Sequence, residues 1–463
     1  MTAPVFTALH QALGDDIVVA GDAIEGRYLG DWVVRAETTR VAALVRPRST
    51  EDVSAAVRIC HAHGVPVVAQ GGLTGLVGGA APVDGCVLVS FERMTGVEEV
   101  DRAASTLTAQ AGTPLQVIQD AAAAEGLFFP LDLGARGSCQ IGGNIATNAG
   151  GNRVIRYGMT RDLVLGLEVV LADGTIVTSL NKLIKNNAGP DLRQLFVGSE
   201  GTLGLITRVV LRLHPQPRSQ AAALCALERY EQVVALLAHA RASLGGTLSA
   251  FEVLWPDFYA LVAQPESGVA PPVAAGAGMY ALVEALGADA VADRAAFERM
   301  LAGALDTGLV TEGVMAQSPS EVRDLWRVRD LSGEFPRLLG ASVGYDLGIP
   351  IGDIGRFVDA CGRALRERWP AAKTAFFGHI GDSNLHLNLV VQDGAQPQAE
   401  LDAIVYGLVR EWRGTISAEH GIGLLKRPYL GHTRTAEEIV LFRAIKHALD
   451  PKGILNPGKI LEE

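Results

Sequence analysis

The chain has 463 residues, 48% of them hydrophobic and 20% charged. That length holds about three domain-sized units, and the composition excludes a disordered chain. A formal net charge of −11 with no Lys/Arg cluster excludes the electrostatic footprint of a nucleic-acid binder. Cys60, Cys86, Cys139, Cys225 and Cys361 show no C-x-x-C spacing. This argues against an iron–sulfur cluster, a cysteine zinc site or a disulfide framework, and for free thiols in a reducing compartment. The first residues reach Asp15-Asp16 without a basic, then apolar, leader. The best apolar run, Leu163 to Ala172, is broken by Glu168 and falls short of a membrane span. A cytoplasmic chain is expected.

In chain order, Ala42–Val45 reads as a strand. Ser49 caps a helix, with Asp52 three residues on and Val53, Ala56, Val57 and Ile59-Cys60 at helical spacing. Gly64 stops it and Val65–Ala69 forms the next strand. Further strands are predicted at Cys86–Ser90, Leu107–Gln110, Leu165–Leu171 and Gly204–Leu213, with a helix at Leu115–Glu125. The alternation indicates an α+β domain rather than a sandwich or bundle. Past Pro215-Gln216-Pro217 the glycine-rich character gives way to Ala-rich helices and strands up to about Trp369, with a loop at Gly268–Gly278.

Gln70-Gly71-Gly72-Leu73-Thr74-Gly75-Leu76-Val77-Gly78-Gly79 follows a strand directly. Glycines there let successive backbone N–H groups face one concavity, which suits an anion such as pyrophosphate. It is neither a Walker loop nor a clean G-x-G-x-x-G turn, and alone it reads as a structural turn. Two more stretches change that reading. One runs from Pro130 through Asp132, Gly134 and Ser138 to Gly150-Gly151; the other is Val197-Gly198-Ser199-Glu200-Gly201-Thr202-Leu203-Gly204. Glycines and small polar groups over such lengths fit close approach of backbone to a long polar cofactor.

Together the three segments resemble the FAD-binding domain of the vanillyl-alcohol-oxidase/PCMH flavoprotein superfamily, in its D-2-hydroxyacid dehydrogenase branch. Asn186–Phe196 is similar to that branch as well, and the resemblance runs from Arg40 to the C-terminus. It implies a PCMH-type FAD-binding domain over residues 1–217 and an α+β substrate or cap domain over 218–415. Residues 416–463 would return to the FAD domain. By the same resemblance Gly71, Gly72, Thr74 and Gly75 hold the pyrophosphate, with Gln70 and Leu73 in the same loop. Asp132, Ser138, Gly142, Asn144, Thr147, Gly151 and Ile206 line the rest of the FAD site, with Asn456 of the tail nearby. Relatives with covalent flavin carry a histidine in the first glycine loop. None lies between His63 and His214 here, so FAD is expected to be non-covalent.

A second cluster starts at Gly378-His379-Ile380-Gly381-Asp382-Ser383-Asn384-Leu385-His386-Leu387-Asn388. The alternation after the turn places His386 and Asn388 on one strand face. Ser417-Ala418-Glu419-His420-Gly421 follows later. Two imidazoles and a carboxylate form a ligand set for a catalytic divalent metal, although a lone strand histidine is usually a core residue. The resemblance makes His379, His386 and Glu419 zinc or manganese ligands and His420 the catalytic base. Arg329, otherwise a surface helix arginine, falls on the family's substrate-carboxylate arginine, and Asn388 is a second substrate contact. The implied reaction oxidises a small D-2-hydroxy acid, with metal, base and flavin acting together.

Hydroxyglutarate-type relatives carry a lysine just before the Tyr-Asp-Leu matched by Tyr345-Asp346-Leu347; here it is Gly344. They also carry a hydroxyl residue where this chain has Gly333. Those groups bind a second carboxylate, so the expectation leans to D-lactate or another monocarboxylic acid, unless Arg327 or Arg337 compensates. The alternatives are a D-2-hydroxyglutarate dehydrogenase and a flavin subunit of a larger glycolate or lactate oxidase. A metallohydrolase is the rival from another class, and the order and number of the glycine loops speak against it. The expected electron acceptor is a quinone or an electron-transfer flavoprotein. Assembly is left open, with a homodimer as one form.

Overall fold

The computed structural model describes residues 4–36 and 38–462. The chain divides into two compact units. One comprises the chain up to Gly151, then Gly158–Gln216 and everything from Glu419; the other comprises Asn152–Tyr157 and Pro217–Ala418.

In the first unit β1 (Val18–Ala20), β2 (Val41–Val45), β3 (Val67–Gln70) and β4 (Cys86–Ser90) form a sheet in the order β1-β2-β4-β3. β2, β4 and β3 run parallel. The crossover from β2 is the helix Thr50–His63. Ser49 Oγ accepts the Asp52 N–H at 3.2 Å, and Gly64 ends the helix at φ 64°, as the sequence predicts. Val53, Ala56, Val57 and Cys60 form its buried stripe. β4 is buried along its whole length, which explains its unbroken apolar run. The following strand starts at Val67 rather than Val65, because Pro66 has no N–H to give a ladder.

A second, antiparallel sheet is built from β5 (Val97–Asp101), β6 (Thr106–Gln110), β8 (Val164–Val170), β9 (Ile176–Ser179) and β10 (Leu205–Arg212), in the order β5-β6-β10-β8-β9. β7 (Leu127–Phe128) pairs separately with β11 (His214–Pro215). β8 stops at Val170 because the Leu171 N–H turns back onto the Thr175 carbonyl at 2.9 Å. Val57, Val87, Ile118, Ile141, Val209 and Leu455 are among the fully buried residues of one core that joins both sheets.

The second unit is one seven-stranded antiparallel sheet: β12 (Ser219–Leu227), β13 (Leu248–Leu254), β14 (Met279–Gly287), β15 (Glu312–Met315), β16 (Val343–Gly348), β17 (Lys373–His379) and β18 (Asn384–Val390), in the order β15-β12-β14-β13-β17-β18-β16. The predicted Gly268–Gly278 loop precedes β14; its Gly276 and Ala277 N–H groups donate to the Tyr280 hydroxyl at 2.9 and 3.0 Å. All five cysteines are free and buried. No helix of the described residues is long and apolar enough to cross a membrane.

Candidate active site

In the first unit the glycine segments converge. Gln70 ends β3 and its Nε2 donates to the Tyr28 and Ala80 carbonyls at 2.8 and 3.0 Å, closing the loop that follows. Leu73 takes the left-handed conformation at φ 58°. A Cβ on Gly72 would drive into the Ser138 carbonyl, and one on Gly71 would meet Gln140 Oε1 at 3.4 Å. At Gly72 only glycine lets the two stretches of backbone approach this closely. Gly151 lies in the same way against the Asp132 carbonyl, while the Asp132 carboxylate accepts from Arg136 at 2.8 Å. Gly142 and Asn144 sit in the short helix Ile141–Ala146, which Thr147 closes by donating to the Gly143 carbonyl at 3.1 Å. Gly75 stands 3.5 Å, as a Cβ would, from Asp31 Oδ2. Ile206 is buried on β10, paired with Val169.

These loops have the chemistry to hold FAD. Among the described residues, Gln70 Oε1, Gln140 Oε1, Asn144 Oδ1 and Asn456 Oδ1 are buried acceptors with no protein donor. Each such atom costs about 1–3 kcal/mol if left unpaired, and a cofactor rich in hydroxyl and N–H groups would fit that need.

Glu200, in the third glycine segment, is the residue that the motif reading passed over. It is buried at φ 50°. Its Oε1 accepts from the Ile422 N–H at 2.7 Å and its Oε2 from the Gly423 N–H at 2.8 Å. The stretch just after His420 is thereby fixed to the third glycine segment. Burial raises the Glu200 carboxyl to about 7 against these two N–H groups and the charges of Lys426 and Lys459. Burial likewise lowers Lys459 to about 8. Asn456 ties in the tail, its Nδ2 donating to the Gly79 and Glu200 carbonyls at 3.0 and 2.6 Å. A Cβ on Gly150 would strike Glu419 Oε1, so the Glu419 carboxylate lies against the backbone of the second glycine segment and half-buried His420 follows it.

In the second unit sheet register assembles the other cluster. Glu252 on β13 pairs with His379 on β17. On the next strands Phe377, His386 and Asp346 are register partners in turn, as are Asn388 and Gly344. The His379 and His386 rings stand 5.4 Å apart and nearly perpendicular. His379 Nδ1–H donates to Glu252 at 2.5 Å. Arg329, from the last turn of the helix Pro319–Asp330, donates from Nε to Glu252 and from Nη2 to His379 Nε2, both at 3.0 Å. Its side chain is only 14% exposed, so it is no surface arginine. Burial pushes the Glu252 carboxyl up, but the charges and hydrogen bonds of His379 and Arg329 outweigh it and hold the group below its ordinary range. Asp346 lies 4.0 Å from His386 Nδ1 and accepts the Ala418 N–H at 3.1 Å, one residue before Glu419. Two imidazoles, each backed by a buried carboxylate, are a donor set that suits a divalent metal. Glu252 lies in no motif that sequence reading singles out, and Asp346, inside the Tyr-Asp-Leu stretch, is given no role there.

Residues 41–179 match the family model of the FAD binding domain, and 216–460 match that of the FAD linked oxidases, C-terminal domain. The chain is 40% identical to a D-2-hydroxyglutarate dehydrogenase of Xanthomonas citri pv. viticola, with 100% of this chain and 98% of that protein covered. It is 39% identical to the mitochondrial D-2-hydroxyglutarate dehydrogenase of Arabidopsis thaliana, over 93% of this chain and 77% of the other. A putative mitochondrial D-lactate dehydrogenase of Schizosaccharomyces pombe is 37% identical, over 93% and 83%. The fold is shared with 4-ethylphenol oxidase from Gulosibacter chungangensis (TM-score 0.76, 19% identity, 98% of this chain and 96% of the other). It is shared also with p-cresol methylhydroxylase (TM-score 0.77, 17% identity, 98% and 96%). The α+β, PCMH-type architecture implied by the glycine motifs is therefore the fold of this protein, and the chain belongs to the FAD-linked oxidoreductase family that includes the D-2-hydroxyglutarate dehydrogenases.

Proposed function

We propose that this protein oxidises a small D-2-hydroxy acid, D-lactate or a similar monocarboxylate, to the 2-oxo acid, with non-covalent FAD and a divalent metal, zinc or manganese. When bound, FAD supplies a two-electron acceptor and the metal supplies Lewis acidity. His379, His386 and Glu419 would hold the metal. Arg329 would grip the substrate carboxylate, since a planar guanidinium matches that geometry, and Asn388 would make a second contact. His420 would take the hydroxyl proton, as a neutral imidazole near ambient pH can. The observation that carries the reading is half-buried Arg329 standing 3.0 Å from His379 Nε2, a carboxylate-binding group beside a candidate metal ligand. Grouping Glu419 with the histidines is supported by Ala418, whose N–H is bound to the carboxylate beside His386.

A monocarboxylate is favoured because Gly344, on the strand beside Asn388, brings no cation. Arg327 and Arg337 are engaged elsewhere, donating to the Gly268 carbonyl at 3.3 Å and to Glu334 at 2.9 Å. The second reading, oxidation of D-2-hydroxyglutarate, is favoured by the names of the relatives. A quinone or an electron-transfer flavoprotein would reoxidise the flavin, and the cytoplasm is the proposed location. Anaerobic titration of the purified yellow protein tests this. D-lactate should bleach the flavin, L-lactate should not, and chelator treatment should abolish the bleaching. Reduction by the L-isomer alone would overturn the assignment, and a larger kcat/KM for D-2-hydroxyglutarate would select the second reading.

A further inference from the structure

Two buried carboxylates on neighbouring strands of the second unit anchor the same helix. Glu284 on β14 accepts from Trp326 Nε1 at 3.0 Å, and also from Gln220 at 2.8 Å and Ser249 at 2.8 Å. Glu252 on β13 accepts from Arg329 Nε at 3.0 Å. Trp326 and Arg329 stand three residues apart, on one face of the helix. The two carboxylates differ in their other partners: Glu284 also pairs with Arg153 at 3.3 Å, whereas Glu252 takes a hydrogen bond from His379, at Nδ1. That bond fixes the ring in its Nδ1–H tautomer and leaves the lone pair on Nε2, the atom that accepts from Arg329 Nη2 in this structure.

We propose that Glu252 is a positioning residue with two simultaneous tasks. It orients His379 so that Nε2 is the ligand atom, and it aims the Arg329 guanidinium at the substrate carboxylate. One buried side chain thereby sets the spacing between the candidate metal ligand and the candidate substrate clamp. The assignment rests on the metal-dependent reading above. It makes the two sites interdependent, because displacement of Glu252 moves both His379 and Arg329. Sheet register makes the placement rigid: Glu252 lies directly across from His379 in the β13–β17 pair, and its side chain is 1% exposed.

The test compares the FAD-loaded full chain with Glu252→Gln, Glu252→Ala and Glu284→Gln. Zinc affinity is read by competition with a chromophoric chelator, KM and kcat with D-lactate at saturating zinc, and Tm by thermal melting. Glu252→Ala should weaken zinc about 10–100-fold, the range found when a carboxylate behind a ligand histidine is removed. It should also raise KM for D-lactate with zinc saturating. Glu252→Gln should recover part of the zinc affinity, since its amide oxygen still accepts from Nδ1–H. Glu284→Gln should lower Tm and leave zinc affinity unchanged, which separates orientation of His379 from general loosening of the helix. Wild-type zinc affinity in Glu252→Ala overturns the inference, as does an equal zinc loss in Glu284→Gln. A wild-type chain that binds no zinc overturns the metal reading itself.

Discussion

The candidate cofactor site of the first unit is made largely of backbone. Gly72 and Gly151 press against the carbonyls of Ser138 and Asp132, and the functional groups left over are buried amide oxygens with no donor among the described residues. The cluster of the second unit is made of side chains. Glu252, His379, His386 and Asp346 come from four strands and are set by register, each imidazole facing a carboxylate. A backbone site tolerates changes of side chain but not the addition of a Cβ. A side-chain site tolerates nothing that shifts charge or tautomer. The two regions should therefore fail differently when perturbed: the first by losing cofactor, the second by losing chemistry while the cofactor stays bound.

Four changes test that contrast, in descending order of effect. His420→Ala should keep the flavin absorbance and slow flavin reduction by D-lactate about 10²–10⁴-fold, the usual contribution of a general base, as read by anaerobic stopped flow. Retention of the full rate would remove His420 from the mechanism. Gly72→Ala should do the reverse. A Cβ against the Ser138 carbonyl forces backbone movement costing about 1–3 kcal/mol, and the ratio of flavin to protein absorbance should drop. Full FAD occupancy with unchanged Tm would show that the loop can yield.

Gly344→Lys is smaller in effect. The position is exposed and next to Asn388, so the added cation should raise the preference for D-2-hydroxyglutarate over D-lactate by about 10-fold, some 1.4 kcal/mol. An unchanged ratio of kcat/KM values would place the second-carboxylate site elsewhere. The smallest effect is a pH dependence. The Glu200 carboxyl is raised from 4.5 to about 7, so folding favours its protonated form. The resulting stabilisation is complete below its ordinary value and is lost as pH rises through about 7. The stability of the wild type relative to Glu200→Gln, followed by thermal melting at stepped pH, should fall across that range. A pH-independent difference would mean that Glu200 is ionised throughout.

Sequence alone determined what depends on local chemistry. The helix from Ser49 to Gly64 announces itself by its cap, its stripe and its stop, and the glycine loops by a density of residues that only close backbone approach requires. The strand alternation around His386 and Asn388 is legible for the same reason. The family followed from these motifs in order. Tertiary structure decided which carboxylates matter. Glu252 looks in the sequence like any other acidic residue, and Asp346 and Glu200, though inside motifs, carry no mark of a role. Glu252 meets His379 across 127 residues of chain, and Glu200 meets Ile422 across 222. An acidic side chain acquires a role only when burial removes water and strand pairing supplies a partner, and neither of these is written in its neighbours along the chain.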